Sequence, residues 1–190
     1  MLSPEHMAQR VVGDRPVEVT RPIEISPYNP EWAGRYAVQE RRIRAALGPL
    51  ALAVEHVGST AVWGLPAKDR IDIDLIVADP SDEGAYVPAL VEVGYTLRTR
   101  EPHWYEHRCL WTDNHDVSLH VFGPDCDEYL RHVIFRDWLR THPDDRDLYA
   151  GSSLKLTSAM RNKKITVTVI ARKAGYLDGK ATTKAATVHR

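Results

Sequence analysis

The residues best able to do chemistry are a Gly58-Ser59 pair and, after a twelve-residue connection, Asp72-Ile73-Asp74. The types and the spacing both count. Ile71, Ile73, Leu75 and Val77 are apolar, with Asp72, Asp74 and Ile76 between them, so the segment reads as a strand. Alternate strand residues share a face, which puts both carboxylates on the same side with Cα atoms ~6.6 Å apart. At about 6 Å such a pair repels by ~3 kcal/mol at an effective dielectric near 20. A divalent cation removes that repulsion, and oxygen-only ligands suit magnesium or manganese, which also bind phosphates. Gly58 has no Cβ and lets a ligand approach the backbone. Ser59 and the amides opening a following helix are expected to hold phosphate oxygens. The competing reading is an edge strand with two solvated aspartates behind an ordinary Gly-Ser turn.

Several elements must position these groups. Trp32, Tyr36, Ile43 and Leu47 fall on one helical face after the Tyr28-Asn29-Pro30 turn, and Gly48-Pro49 ends that helix. A strand over 52–57 leads into Gly58, and a short strand is expected over 18–25. Ser81 caps a helix that Gly94 stops. Strands follow over 95–100, 105–111 and 117–122, the last two joined by Thr112-Asp113-Asn114-His115. A helix over about 127–140 turns Leu130, Val133, Ile134 and Trp138 inward. Thr141-His142-Pro143 breaks it and another helix follows. Ile165-Thr-Val-Thr-Val-Ile reads locally as a strand within helix-like composition.

The 190 residues suit one domain with an appendage, large enough to fold without disulfide or zinc. Composition of 43% hydrophobic and 27% charged residues excludes disordered, collagen-like and coiled-coil classes. No apolar run nears the ~20 residues of a membrane span. The N-terminal MLSPEHMAQR has no apolar core, so no secretory signal is expected. Cys109 and Cys126 form no framework and read as free thiols of a cytoplasmic protein. A zinc site from His103, His107, Cys109 and His115 matches no standard spacing. The net charge of −1 hides an asymmetry, with about +8 on residues 155–190 and about −9 before them. A basic end attracts phosphates, or is simply a solvated face. Tyr176 is its only aromatic residue, so it lacks a stacking platform for nucleic acid and no DNA partner is expected.

Longer motifs carry a likeness. Glu55-His56-Val57-Gly58-Ser59-Thr60-Ala61-Val62, Gly64-Leu65, Ala67-Lys68 and Ile71-Asp72-Ile73-Asp74 resemble the GrpB-like family, a branch of the nucleotidyltransferase superfamily. Pro27-Tyr28-Asn29-Pro30-Glu31-Trp32, Glu106-His107-Arg108, Asp116-Val117-Ser118-Leu119-His120-Val121-Phe122 and Phe135-Arg136-Asp137-Trp138-Leu139-Arg140-Thr141-His142-Pro143 agree with it. The likeness covers about 18–156, flanked by a flexible 1–17 and a basic segment over 157–190. Trp63 and Asp69 depart from it, standing where prolines are expected.

The resemblance implies an α/β (α+β) fold, a mixed sheet flanked by helices with a helical C-terminal region. It implies a nucleoside triphosphate at the Gly58-Ser59-Thr60 loop. Among the basic residues, Lys68, four positions before Asp72, and Arg108, Arg136 and Lys155 are further candidates to contact phosphate. Asp72 and Asp74 would hold Mg2+ or Mn2+. The superfamily usually adds a third carboxylate; here the neighbouring strand offers Ser118 and His120 on one face and Asp116 near its start. His120 is the candidate general base or unusual ligand, and Asp116 the candidate third metal ligand or a turn cap. The implied reaction moves a nucleotidyl group to a hydroxyl or amine on a small molecule, a protein or an RNA end. The alternative is a module of the same fold that holds a nucleotide or CoA-like ligand without turnover.

Overall fold

The computed structural model describes residues 11–12 and 24–151, together with four short strands between 164 and 187. Helix α1 (Glu31–Leu47) starts where Asn29 Oδ1 accepts the Glu31 N–H at 2.9 Å, and stops at Gly48, whose φ of 54° suits glycine. After the 3₁₀ turn Gly48–Leu50 come β1 (Ala53–Val57) and a 3₁₀ turn at Ser59–Ala61. Then follow β2 (Ile71–Ile76), α2 (Glu83–Glu92), β3 (Tyr95–Glu101), β4 (His107–Thr112), β5 (Val117–Phe122), α3 (Asp127–Thr141) and α4 (Pro143–Gly151). The five strands form one sheet in the order β1-β2-β5-β4-β3. Only β2 and β5 run parallel; the chain reaches β5 through α2 and the β3–β4 hairpin.

The sheet has two unlike faces. Val54, Ile71, Ile73, Leu75, Leu110, Leu119 and Val121 lie on one, packed under Trp32, Ile43 and Leu47 of α1 and Tyr86 and Leu90 of α2. This is the main core, and it makes Ile71, Ile73 and Leu75 of β2 point away from the carboxylates between them. The other face carries Asp72 and Asp74 and is served by α3. Leu139 of α3 packs on Val62 and Leu65, while Tyr129 packs beside Ile76, Phe122 and Cys126.

Three expectations change. The expected inward face of α3 is wrong: Leu130, Ile134 and Trp138 are exposed, at 48%, 66% and 40%, and the buried residues are Arg136 and Leu139. The face meeting the sheet meets carboxylates, so the charged side of the helix turns in. No α-helix joins β1 to β2; after the single 3₁₀ turn the connection is irregular, and the two strands pair antiparallel. The helical part of the C-terminal region is α3 and α4. A second compact unit begins after Gly151, and its described pieces are strands: β6 (Lys164–Ile165) with β9 (Ala186–Thr187), and β7 (Thr168–Ala171) with β8 (Gly179–Thr182). The strand expected over 18–25 lies almost wholly outside the described residues, and Ser26 beyond it makes one bridge to Ala67. Cys109 and Cys126 are buried free thiols.

Candidate functional site

Register across the sheet assembles the site. Asp74 has Glu55 beside it on β1 and His120 on β5, with Cys109 of β4 beyond. Asp72 lies between Val57 and Ser118, with Trp111 beyond. These two rows share the face away from the main core. At the end of β1 the chain turns at Gly58, with φ 71° and ψ −174°, a conformation open essentially to glycine alone. A Cβ built there would lie 2.8 Å from Asp72 Oδ2, so the missing side chain is what lets the turn close against the carboxylate. Ser59 opens the 3₁₀ turn half-buried.

Both aspartates are held above the ordinary carboxylate range, chiefly by desolvation. Lys68, Arg70 and a hydrogen bond from Ser118 pull Asp72 the other way. Asp74 is 0% exposed. Its Oδ2 pairs with Nδ1 of His132 at 2.8 Å, whereas its Oδ1, equally buried, has no hydrogen-bond partner. The bond to Asp74 raises His132, whose Nε2 also lies 3.5 Å from Glu128. Across the β5 strand, His120 Nδ1 is 3.0 Å from His107 Nε2, and His107 Nδ1 is 2.7 Å from Glu101 Oε2. Desolvation, then the neighbouring His107, pushes His120 down to about 4, so its ring is neutral at pH 7.

Helix α3 also clamps the turn. Arg136, 8% exposed, donates to Glu55 Oε2 at 2.6 Å, to the His56 carbonyl at 2.9 Å and to Asp137. Arg140 donates twice to the Ala61 carbonyl, at 3.0 and 2.9 Å.

Gly58, Ser59, Asp72, Asp74 and His120 therefore meet in one place. Exposed Lys68 is near enough to act on the charges of Asp72 and His120. The other expected residues do not join them. Thr60 is buried, its hydroxyl 3.1 Å from His56, which stacks on Tyr36 toward the main core. Arg108 points to the α2 side and donates to Glu83 at 2.6 Å. Asp116 accepts from Thr112 at 2.7 Å and pairs with Arg35 of α1 at 3.5 Å. Lys155 lies outside the described residues. Of the two departures, Asp69 accepts from Trp32 Nε1 at 2.8 Å and pairs with Arg35, tying the loop to α1, while Trp63 is 72% exposed. Sequence reasoning missed His132 and Glu101 as site residues and set His107 aside, and it offered Arg136 as a phosphate contact, whereas the structure commits Arg136 to Glu55, the His56 carbonyl and Asp137. The 4-and-3 spacing of His132, Arg136 and Leu139 was the available signal.

The geometry fits a hard cation in one respect. A buried carboxylate oxygen without a donor, beside a second desolvated carboxylate, is unfavourable until positive charge arrives. Among the described residues no group of three or more His, Cys, Asp or Glu side chains is arranged to hold a metal ion. What fits is a two-carboxylate site completed by phosphate oxygens, as magnesium commonly uses. Among those residues, no helix is long and apolar enough to cross a membrane.

Comparison with known proteins agrees with the fold. The family described as GrpB protein matches residues 22–189. A UPF0157 protein of Halalkalibacterium halodurans is 51% identical over 134 residues, 70% of this chain and 69% of that protein. A dephospho-CoA kinase of Mycobacterium bovis is 37% identical over 172 residues, 76% of this chain but only 40% of the kinase. The crystal structure of the conserved protein GrpB from Enterococcus faecalis superposes with a TM-score of 0.62 at 27% identity, covering 67% of this chain and 79% of that one. With a family match over most of its length and a solved relative of the same architecture, the chain belongs to the GrpB family.

Proposed function

We propose that this protein is a metal-dependent nucleotidyltransferase, in keeping with the superfamily its motifs resemble. The observation that carries the reading is Asp74, fully buried with an unpartnered Oδ1, next to Asp72 and behind a turn that only glycine can make. Asp72 and Asp74 would hold Mg2+ or Mn2+, which supplies charge neutralisation and orients the α-phosphate of a bound triphosphate. The chain's own groups do the rest. Gly58 lets the turn close against Asp72, and Ser59 and Lys68 are at hand for phosphate oxygens. Arg136 and Arg140 hold the turn rigid through Glu55 and the His56 and Ala61 carbonyls. His120, neutral at pH 7, takes the proton of the acceptor hydroxyl or amine. The acceptor atom bonds to the α-phosphorus, and the bond to the β-phosphate oxygen breaks, releasing pyrophosphate.

A second reading is a nucleotide- or CoA-like-ligand-binding module without turnover. The place of a third carboxylate beside the pair is taken by Ser118 and His120, and Asp116 is bound to Thr112 and Arg35. The likeness to part of a dephospho-CoA kinase supports a CoA-like ligand. Incubation with each α-labelled triphosphate and magnesium, scored for pyrophosphate and for label on small-molecule, protein and RNA fractions, separates the two. Pyrophosphate release that Asp74→Asn abolishes supports transfer. Binding without release supports the module, and neither removes both.

A further inference from the structure

Asp72 has two flanks. On the β1 side the Gly58 turn closes against its carboxylate. On the other side the same row runs through Ser118 to Trp111, two strands away and roughly 10 Å across the sheet. Arg70, two residues before Asp72, reaches over that second flank. Its Nε donates to the His115 carbonyl at 2.9 Å, and its Cζ lies 4.8 Å from the centre of the half-buried Trp111 ring. The His115 ring tilts against the same indole at 5.2 Å. The guanidinium is thus fixed at one nitrogen and along one face. Its two terminal nitrogens have no hydrogen-bond or ion-pair partner among the described residues. An arginine that only caps a turn points its fork at a carbonyl or a carboxylate. Here two neighbouring acids are engaged elsewhere, Asp116 by Thr112 and Arg35, and Asp74 by His132. Desolvation raises Asp72, and Arg70 is near enough to oppose it, yet the two form no ion pair.

We propose that Arg70, backed by Trp111, is the anion-binding group for the acceptor and takes a phosphate or carboxylate of that molecule on the flank of Asp72 opposite Gly58. The inference deepens the nucleotidyltransferase reading and rests on it for the acceptor's role. Arginine suits the task because its planar fork matches two oxygens of one anion, and the ring against it holds the fork in one plane. A lysine at the same place would be a point charge on a flexible stem. The two flanks divide the substrates. In that reading the triphosphate lies by the Gly58 turn and the acceptor's anion by Arg70, so the attacking hydroxyl or amine meets the α-phosphorus between them. The acceptor is thereby narrowed to a molecule bearing a phosphate or carboxylate a few bonds from its nucleophile.

The test begins without nucleotide or metal. Isotope-labelled protein in EDTA at pH 6.5 and constant ionic strength is titrated with inorganic phosphate and, separately, with succinate. The readout is the Nε–H resonance of Arg70, assigned from an Arg70→Lys sample, with the Trp111 indole N–H, assigned from Trp111→Phe, as a second probe. The expected result is a saturable shift of both resonances in at least one titration, and the anion that gives it tells phosphate from carboxylate. In Arg70→Lys the indole shift should need at least about tenfold more anion, the loss of one charge-assisted hydrogen bond of the fork. An Arg70 resonance that neither anion moves overturns the proposal, as does an indole titration unchanged in Arg70→Lys. The titration is then repeated with triphosphate and magnesium present. Anion still bound at Arg70 supports a separate acceptor subsite. Displacement by triphosphate overturns the acceptor assignment and gives Arg70 to the triphosphate. If the protein binds no triphosphate at all, the nucleotidyltransferase reading fails, while the metal-free titration still decides whether Arg70 holds an anion.

Discussion

Replacing Asp72 by asparagine should make the metal-free protein more stable. Asp72 and Asp74 sit two residues apart on one strand face, and both are held above the usual carboxylate range by desolvation. Side by side at about 6 Å they repel by ~3 kcal/mol at an effective dielectric near 20. Lys68 and Arg70 offset part of this, and weakening the Ser118 contact costs about 1 kcal/mol. A net gain of about 1–2 kcal/mol remains, which for a unit of this size is a rise of roughly 3–6 °C in melting temperature. The sign with pH follows from linkage. A folded-state pKa above the unfolded one gives stability that is present at low pH and lost as pH rises through the folded value. The advantage of Asp72→Asn should therefore shrink toward pH 4 and be larger at pH 7.5. Scanning calorimetry in EDTA at both pH values reads it. A lower melting temperature for the variant at pH 7.5 would refute the idea that the carboxylate pair is strained without a cation.

Three further outcomes are expected. Gly58→Ala meets both a glycine-only backbone and a carboxylate oxygen at 2.8 Å, so denaturant titration should show a loss of about 1–3 kcal/mol. His56 is pushed down to about 4 by burial, with Arg140 and Arg136 adding to it, so its contribution is full above pH 6.5 and is lost as pH falls toward 4. Relative to His56→Phe, which keeps the stack on Tyr36, the wild type should lose about 3 kcal/mol across that window, and parallel stability curves would contradict this. On α3, Leu139→Ala should cost about 2–4 kcal/mol and Ile134→Ala less than about 1, because only Leu139 is buried; equal costs would mean the helix face is assigned wrongly.

The parts legible in the sequence were those with a local cause. Trp32, Ile43 and Leu47 share a helical face and are all buried, and Gly48 and Gly94 stop their helices at positive φ. The alternation in β2 put its two aspartates on one face, away from the main core. What escaped was set by tertiary context. Helix α3 exposes Leu130, Ile134 and Trp138 because the surface it covers is anionic, and hydrophobic periodicity has no way to register that. Arg108 and Asp116 belong to the family-like motifs, yet strand alternation turns Arg108 to Glu83 of α2, and Thr112 and Arg35 hold Asp116. His132 and Arg136 are 58 and 81 residues from their acidic partners, so nothing local announces the pairing.

The most direct measurement is a calorimetric titration of the purified protein with each of the four nucleoside triphosphates and magnesium, beside an Asp72→Asn, Asp74→Asn double variant. Magnesium-dependent binding of at least one triphosphate, lost in the double variant, is the expected result. Binding of no triphosphate, or equal binding by both proteins, would contradict a nucleotide site built on these two carboxylates.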